Sequence, residues 1–193
     1  GATRPLTKEL MFSNEGAVGS GGKFDGTLCL TRTATGLTLS DRGVFTVMAW
    51  VKSTRNKAPW EGVLLASPAH YALAVDANPA SQRFLAAIST AQSTAFDYRS
   101  ATATNQIVTG QWHHVAQTYD TAAAKMSQYV DGNLVQTTAV SGNVNSAAGG
   151  VFMGCRKAAS YDQFFIGTLD EVAVYTRALT EAELLDYVTR TRP

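Results

Sequence analysis

Short runs of apolar and β-branched residues, separated by Gly, Asn, Asp and Pro, recur along most of the chain. This pattern is typical of β strands. Helical periodicity is absent until the last fifteen or so residues, by the spacing rule for amphipathic helices. The sequence therefore predicts an all-β protein, with strands at 28–30, 36–39, 45–52, 62–67, 71–75, 84–89, 112–119, 125–130, 134–139, 151–153 and 168–175.

Two of these runs carry further information about the architecture. Both alternating sets of residues in 45–51 are apolar, as expected of a central strand that is covered on both faces. Asp131-Gly132 separates the runs 125–130 and 134–139, and this dipeptide is a strong signal for a tight hairpin.

The C-terminal region predicts a short helix. Thr180 and Glu183 have the spacing of a capping box, in which the threonine caps the first amides and the glutamate reaches back. Leu184, Leu185 and Val188 follow on what we expect to be one side of the helix. We expect that side to pack across a sheet end.

Three segments are predicted as long loops because strand periodicity stops in them: 54–61, 91–104 and 155–163. No internal repeat or linker divides the chain. With 193 residues, the expectation is one β-sandwich domain over 1–193, since such domains commonly reach roughly 200 residues.

The amino-acid composition favours some classes of ligand over others. Hydrophobic residues make up 45% and charged residues 16%, so the surface depends on Ser, Thr, Asn and Gln, which suits a neutral ligand. With 16 Lys+Arg against 15 Asp+Glu the net charge is +1, and no basic stripe is present for a phosphate backbone. We therefore expect no nucleic acid binding. No run of about 18 apolar residues occurs, so we also expect no membrane insertion.

Five sequence segments carry a resemblance to a known family: FTVMAWVKS, GQWHHVAQTYD, SQYVDGNLVQTT, VFMGCRKA and FFIGTLDEVAVYTRALTEAEL. In order and spacing they resemble the laminin-G-like, concanavalin A-like lectin/glucanase jelly-roll superfamily, over about residues 23–187. The resemblance implies two stacked antiparallel sheets in a jelly-roll β-sandwich with a short C-terminal helix. Its members include carbohydrate-binding modules, lectin domains and adhesion modules, which implies a location outside the cell or at its surface.

The chain lacks the residue patterns typical of glycosidases and of serine hydrolases. Glycosidases need two carboxylates about 5–10 Å apart, and the Glu-x-Asp-x-x-Glu motif of laminarinase-type enzymes does not occur. Asp170 and Glu171 are adjacent, so in a regular strand their side chains point to opposite faces. No Gly-x-Ser-x-Gly motif is present, and His113 and His114 are consecutive, which favours structural roles. We expect no catalytic residues.

Sugars are bound by aromatic rings together with amides, carboxylates and arginines. The predicted loops supply such residues, and the candidate ligand-binding set is Trp60, Asp97, Tyr98, Arg99, Arg156, Tyr161 and Gln163. The alternative for Trp60 is a ring folded over a sheet edge, and for the others a solvated turn. Trp50 and Trp112, in contrast, are predicted to lie in the core.

The favoured function is a non-catalytic, lectin-like module of a larger secreted protein that binds an oligo- or polysaccharide. The alternative is an adhesion module for a cell-surface or matrix protein, and a polysaccharide-active enzyme is the least favoured.

Cys29 and Cys155 lack zinc or redox spacing, so they are either a disulfide or two buried thiols. For a secreted sandwich we predict the disulfide. The resemblance also implies a structural Ca²⁺ near the last strand, with Asp170 and, from the N-terminal segment, Asp25 as ligands. The alternative for Asp170 is a hydrogen bond to turn amides.

Overall fold

The computed structural model describes residues 11–14, 16–32, 39, 42–54, 62–67, 70–76, 78, 80–90, 98–145, 151–157 and 162–193. The elements, in chain order, are β1 (Met11–Ser13), β2 (Gly21–Asp25), β3 (Leu30–Arg32), β4 (Val44–Ser53), β5 (Gly62–Ser67), β6 (Tyr71–Asp76), β7 (Arg83–Ile88), β8 (Tyr98–Ala101), β9 (Trp112–Asp120), β10 (Lys125–Val130), β11 (Asn133–Ala139), β12 (Val151–Met153), β13 (Cys155–Lys157), β14 (Asp162–Phe164), β15 (Ile166–Tyr175) and the helix α1 (Glu181–Thr191).

The described strands form two antiparallel sheets and a separate hairpin. The seven-stranded sheet has the order β1-β2-β15-β4-β9-β10-β11, and the six-stranded sheet has the order β3-β12-β5-β6-β7-β8. Strands β13 and β14 pair only with each other among the described residues. The predicted all-β sandwich with a short C-terminal helix is thus confirmed.

Strand β4 is covered on both faces, as its sequence predicts. Phe45, Val47 and Val51 point into the main core between the sheets. Met48 and Trp50 belong to two smaller apolar clusters that also contain residues of α1. The helix therefore packs on the outer face of the seven-stranded sheet and not, as expected, across a sheet end.

The six-stranded sheet has one large-residue face and one small-residue face. In β6, Tyr71, Leu73 and Val75 belong to the main core. The alternate positions are alanines, which cluster on the other face: Ala66, Ala72, Ala74 and Ala87. Leu85 is partly buried and packs against these alanines, so the described part of this outer face is apolar and formed largely by small side chains.

The hairpin predicted at Asp131-Gly132 is confirmed. Val130 pairs with Asn133, so the connection between β10 and β11 has two residues. Their φ angles are 52° for Asp131 and 84° for Gly132. Positive φ at both positions is the mark of a type I′ turn, in which Asp-Gly is preferred.

The capping box is also confirmed, and one helix position is corrected. The Thr180 hydroxyl accepts from the amide of Glu183 at 3.3 Å, and the Glu183 carboxylate accepts from the amide of Thr180 at 2.8 Å. Leu184 and Val188 are buried, but Leu185 is 45% exposed. Each residue turns about 100° around the helix axis, so position 185 has rotated away from the stripe formed by 184 and 188.

Two segments predicted as loops contain strands. The segment 155–163 holds β13 and most of β14, and 91–104 holds β8. Strands of three or four residues with polar side chains lack the alternation that identifies a strand from sequence. The predicted strand 36–39, apart from Leu39 in the main core, and most of the predicted loop 54–61 lie outside the described residues.

Candidate functional site

The β13–β14 hairpin brings two of the predicted ligand-binding residues together. Arg156 pairs with Gln163 directly across the two strands. Residues directly opposite in an antiparallel pair share a face, so these two side chains are neighbours. Arg156 is partly exposed and Gln163 is 8% exposed. The connecting residues 158–161, including the predicted Tyr161, lie outside the described part of the chain.

The base of this hairpin is held by covalent and packing contacts. Cys155 forms the predicted disulfide with Cys29, with their Cα atoms 5.2 Å apart. Gly154 has φ +74°, and a Cβ at that position would lie 2.1 Å from the Phe24 ring, so only glycine fits there. Phe165, just after β14, packs against Phe24 with ring centroids 6.0 Å apart.

The segment that contains Trp60 begins and ends beside this hairpin. It starts after Thr54, whose amide donates to the carbonyl of Ile166 at 3.1 Å, two residues beyond β14. It ends at Gly62, where β5 begins, and the Gly154 amide donates to Leu64 in the same strand at 3.0 Å. Trp60 itself lies outside the described residues. The hairpin and both ends of the 55–61 segment therefore share one end of the sandwich, which we call the hairpin end.

Tyr98 and Arg99 lie elsewhere. Through the registers of three strand pairs, Tyr98 is level with Ser67, at the far end of β5 from Gly62. Strand β8 is also three strand spacings away from β5, roughly 14 Å. Asp97 lies outside the described residues. The structure thus divides the predicted ligand-binding residues between two separate regions.

Asp25 lies at the hairpin end, where it organises a turn. Its Oδ1 accepts from the Thr27 amide at 2.9 Å, the Thr27 hydroxyl at 2.8 Å and the Leu28 amide at 3.1 Å. This turn leads directly to Cys29. Asp25 therefore supports the chain that the disulfide ties to the hairpin.

Asp170 occupies a different position on β15. Its Oδ2 accepts from the Val18 amide at 2.8 Å, and its Oδ1 accepts from the Glu171 amide at 2.9 Å. Asp25 pairs with Ile166, so Asp170 lies four residues further along β15, about 13 Å away at ~3.3 Å per residue. The structure therefore does not bring the two predicted calcium ligands together. In the described ranges, no group of three or more His, Cys, Asp or Glu side chains is placed to hold a metal.

Glu171 departs from the regular alternation assumed for the pair Asp170-Glu171. The pairing of β15 with β4 shifts register between Asp170 and Ala173, and Glu171 has φ +48°. Its Oε2 accepts a hydrogen bond from the Tyr187 hydroxyl at 3.1 Å. Both carboxylates are thus engaged in binding the Val18 turn and α1 to the sheet.

His113 and Asp131 form a polar contact that the sequence did not predict. The His113 Nε2 accepts from the Val108 amide at 3.0 Å, so the ring proton is on Nδ1, which donates to the Asp131 Oδ2 at 2.9 Å. The other carboxylate oxygen accepts from the His114 amide at 2.9 Å. Burial alone raises the pKa of Asp131, but the hydrogen bonds from His113 and the His114 amide outweigh it and hold that pKa below its ordinary value. With both ring nitrogens of His113 engaged, its role is structural.

The predicted core tryptophans differ in burial. Trp50 is 1% exposed, as predicted. Trp112 is only partly buried and packs at the margin of the cluster that contains Trp50, Ala17 and Val188. It begins β9, next to an exposed turn, and so has solvent on one side.

The chain belongs to the concanavalin A-like lectin/glucanases superfamily, whose Laminin_G_3 family model matches residues 25–185. The resemblance seen in the sequence is thus confirmed. No curated protein matches the sequence at a significant level.

Three solved structures illustrate the shared fold. A native heptameric SAP-like pentraxin from Limulus polyphemus has a TM-score of 0.68 and 17% identity over 86% of this chain and 80% of its own. Domain 4 of AbnA, an extracellular GH43 arabinanase of Geobacillus stearothermophilus, in complex with arabinotriose, has a TM-score of 0.70 and 17% identity over 94% and 82%. The binding domain of Paraclostridial Mosquitocidal Protein 1 has a TM-score of 0.75 and 12% identity over 96% of this chain and 46% of that one. The chain thus spans about half of the toxin binding domain.

Proposed function

We propose that this domain is a non-catalytic, lectin-like module that binds an oligo- or polysaccharide at the hairpin end of the sandwich. The observation that carries the proposal is the pair Arg156 and Gln163, which share one face of a disulfide-anchored hairpin. We assign the ligand contacts to this pair, Tyr161 and Trp60.

The chemistry of these residues suits a sugar. A guanidinium and a primary amide side by side offer several hydrogen bonds to vicinal hydroxyl groups. An indole ring covers the apolar C–H face of a pyranose. The hairpin's covalent and aromatic anchors hold its polar pair in place before binding, which reduces the entropy lost on association.

The comparisons favour binding over catalysis. The similar arabinanase domain is in complex with arabinotriose, and the toxin relative is a binding domain. In the described part of this chain, Asp25, Asp170, Glu171 and Asp131 each accept structural hydrogen bonds. We therefore propose that the domain does not cleave its ligand.

A secreted or cell-surface location accompanies this proposal. Disulfides persist mainly in oxidising compartments, and Cys29 and Cys155 are joined. No helix in the described ranges is long and apolar enough to cross a membrane. We infer that the domain works as part of a larger extracellular protein.

Calcium is proposed at Asp170 alone. Ca²⁺ takes six to eight oxygen ligands, and the separation of Asp25 from Asp170 removes the predicted pair. Both Asp170 carboxylate oxygens accept amide hydrogen bonds, from Val18 and Glu171, so an ion there would share these oxygens with the two amides. The sugar contacts proposed above do not depend on it.

A glycan array, probed with the purified domain in calcium and in chelator, tests the proposed function. We expect binding to one related class of glycans. Binding to no glycan, together with capture of a defined cell-surface or matrix protein, would favour the adhesion function instead. The similarity to a toxin binding domain is also compatible with that function. Release of reducing sugar by a homogeneous preparation would contradict the absence of catalysis.

A further inference from the structure

His114 is a buried ionisable group that packing alone does not explain. It is 0% exposed, and within the described part of the chain neither ring nitrogen has a hydrogen-bond partner. Its ring lies between Trp50 of β4, at 5.4 Å and 69°, and Tyr187 of α1, at 5.3 Å and 49°. The imidazole thus fills the contact between the helix and the outer face of the seven-stranded sheet.

A phenylalanine at this position would keep both ring contacts and bury no polar nitrogen. Buried polar atoms without partners cost free energy, so natural proteins contain few of them. The property that distinguishes histidine from phenylalanine is its ability to take up a proton, which an exposed imidazole does near neutral pH.

Among the described residues, the neighbours of His114 leave the charged ring without a hydrogen-bond acceptor. The carboxylate of Asp131 binds His113 and the His114 amide. The Tyr187 hydroxyl donates to Glu171 rather than to the imidazole. The titratable or charged groups of the neighbouring elements are His113 on the same strand, Lys52 on β4, Lys125 and Tyr129 on β10, Asp131 in the β10–β11 turn, Asp170, Glu171 and Tyr175 on β15, Glu181, Glu183, Asp186, Tyr187 and Arg190 on α1, and Arg192 just after the helix. Burial lowers the pKa of His114 to about 4, although the negative charge of Asp131 acts in the opposite direction.

We propose that His114 is an acid-sensitive latch for α1, and that protonation of its ring drives the helix off the seven-stranded sheet while the sandwich stays folded. A protonated imidazole has two N–H donors that need water or an acceptor, and the helix excludes water from both. Release of α1 solvates the ring without disturbing the main core, because Met48 and Trp50 belong to clusters separate from it. Acid would thereby expose an apolar strip of sheet that includes these two residues.

The coupling between protonation of His114 and release of α1 determines the direction and size of the pH effect. An exposed histidine titrates near pH 6.5, whereas the docked ring stays neutral down to about pH 4. Between these values the released state binds the proton and the docked state does not. The ratio of released to docked helix should rise about tenfold per pH unit, and about 300-fold in all.

Hydrogen exchange read by mass spectrometry tests the latch, with protection factors corrected for the intrinsic pH dependence of exchange. From pH 7 to pH 4.5 we expect protection of Glu181–Thr191 to fall by about 100-fold, while Lys125–Val130 in the sheet keeps its protection. The variant His114→Phe should hold α1 equally well at both pH values. A wild-type helix that keeps its protection at pH 4.5, or an equal loss in His114→Phe, would overturn the proposal.

A second measurement on the wild-type protein covers the case in which His114→Phe does not fold. Ring titration by NMR should show His114 neutral well below pH 6, with its protonation accompanying loss of α1 protection. A His114 ring that titrates near pH 6.5 while α1 remains protected would also contradict the latch.

Discussion

Cys155 lies with its Cα 5.2 Å from that of Cys29, although 126 positions separate the two residues in sequence. The bond joins the turn after β2 to the base of the β13–β14 hairpin. One covalent link therefore connects the N-terminal strands to the proposed binding surface.

Replacing both cysteines by alanine should lower the free energy of unfolding by about 2–5 kcal/mol, because the unfolded chain loses a constraint that closes a long loop. Chemical denaturation of the two proteins measures the difference. Mass spectrometry under non-reducing conditions is the control, and two free thiols in the wild-type protein would contradict the link.

Leu184 and Leu185 provide a matched pair for the packing of α1. Leu184→Ala should destabilise the domain by about 2–4 kcal/mol, because the Leu184 side chain is 0% exposed, on the side of the helix that packs on the sheet. Leu185→Ala should change stability by less than about 1 kcal/mol, since its side chain is 45% exposed. Equal losses in thermal or chemical unfolding would show that the helix is rotated from the orientation described.

Asp131→Asn should lower the free energy of unfolding by about 1–3 kcal/mol at pH 7, because an amide in place of Oδ2 faces the N–H of His113. Asparagine tolerates the positive φ of this turn, so the hairpin itself should persist. Since the pKa of Asp131 is lowered in the folded protein, its contribution is present above the unfolded value of about 3.9 and is lost as the pH falls through the folded value. Unfolding curves at pH 7 and pH 3 should show the gap between wild type and variant narrowing in acid, and a constant gap would contradict this role.

The parts of the fold that could be predicted from sequence are those whose signals are local. The alternation in β4, the Asp131-Gly132 turn and the capping box at Thr180 each depend on residues close in the chain. The β13–β14 hairpin was missed because its strands are short and polar. Its formation depends on Gly154 against Phe24 and on a cysteine far away in sequence.

The candidate site could be predicted only in part for a similar reason. The chemistry of Arg156 and Gln163 predicts a binding role for each, and the structure makes them neighbours. The separation of Tyr98 from them follows from the registers of three strand pairs, which no local pattern specifies. The same holds for Asp25 and Asp170, whose distance is determined by the register of β2 with β15.

Asp170→Ala should lower the melting temperature, because the variant loses the hydrogen bonds to the amides of Val18 and Glu171. If calcium binds there, it stabilises the native state by mass action, and the variant should lose that increment. Asp25→Ala is the matched control and should retain it. Identical melting of the wild-type protein in calcium and in chelator would contradict calcium binding at Asp170.

Calorimetric titration of the best-bound glycan tests the hairpin-end site most directly. Trp60→Ala and Arg156→Ala should each weaken binding by about 1–3 kcal/mol, through loss of a stacking ring or a charged donor, with little change in melting temperature. Tyr98→Ala, at the other end of the six-stranded sheet, should bind like wild type. Undiminished binding by both hairpin-end variants, or a loss confined to Tyr98→Ala, would contradict the assignment and move the site to β8.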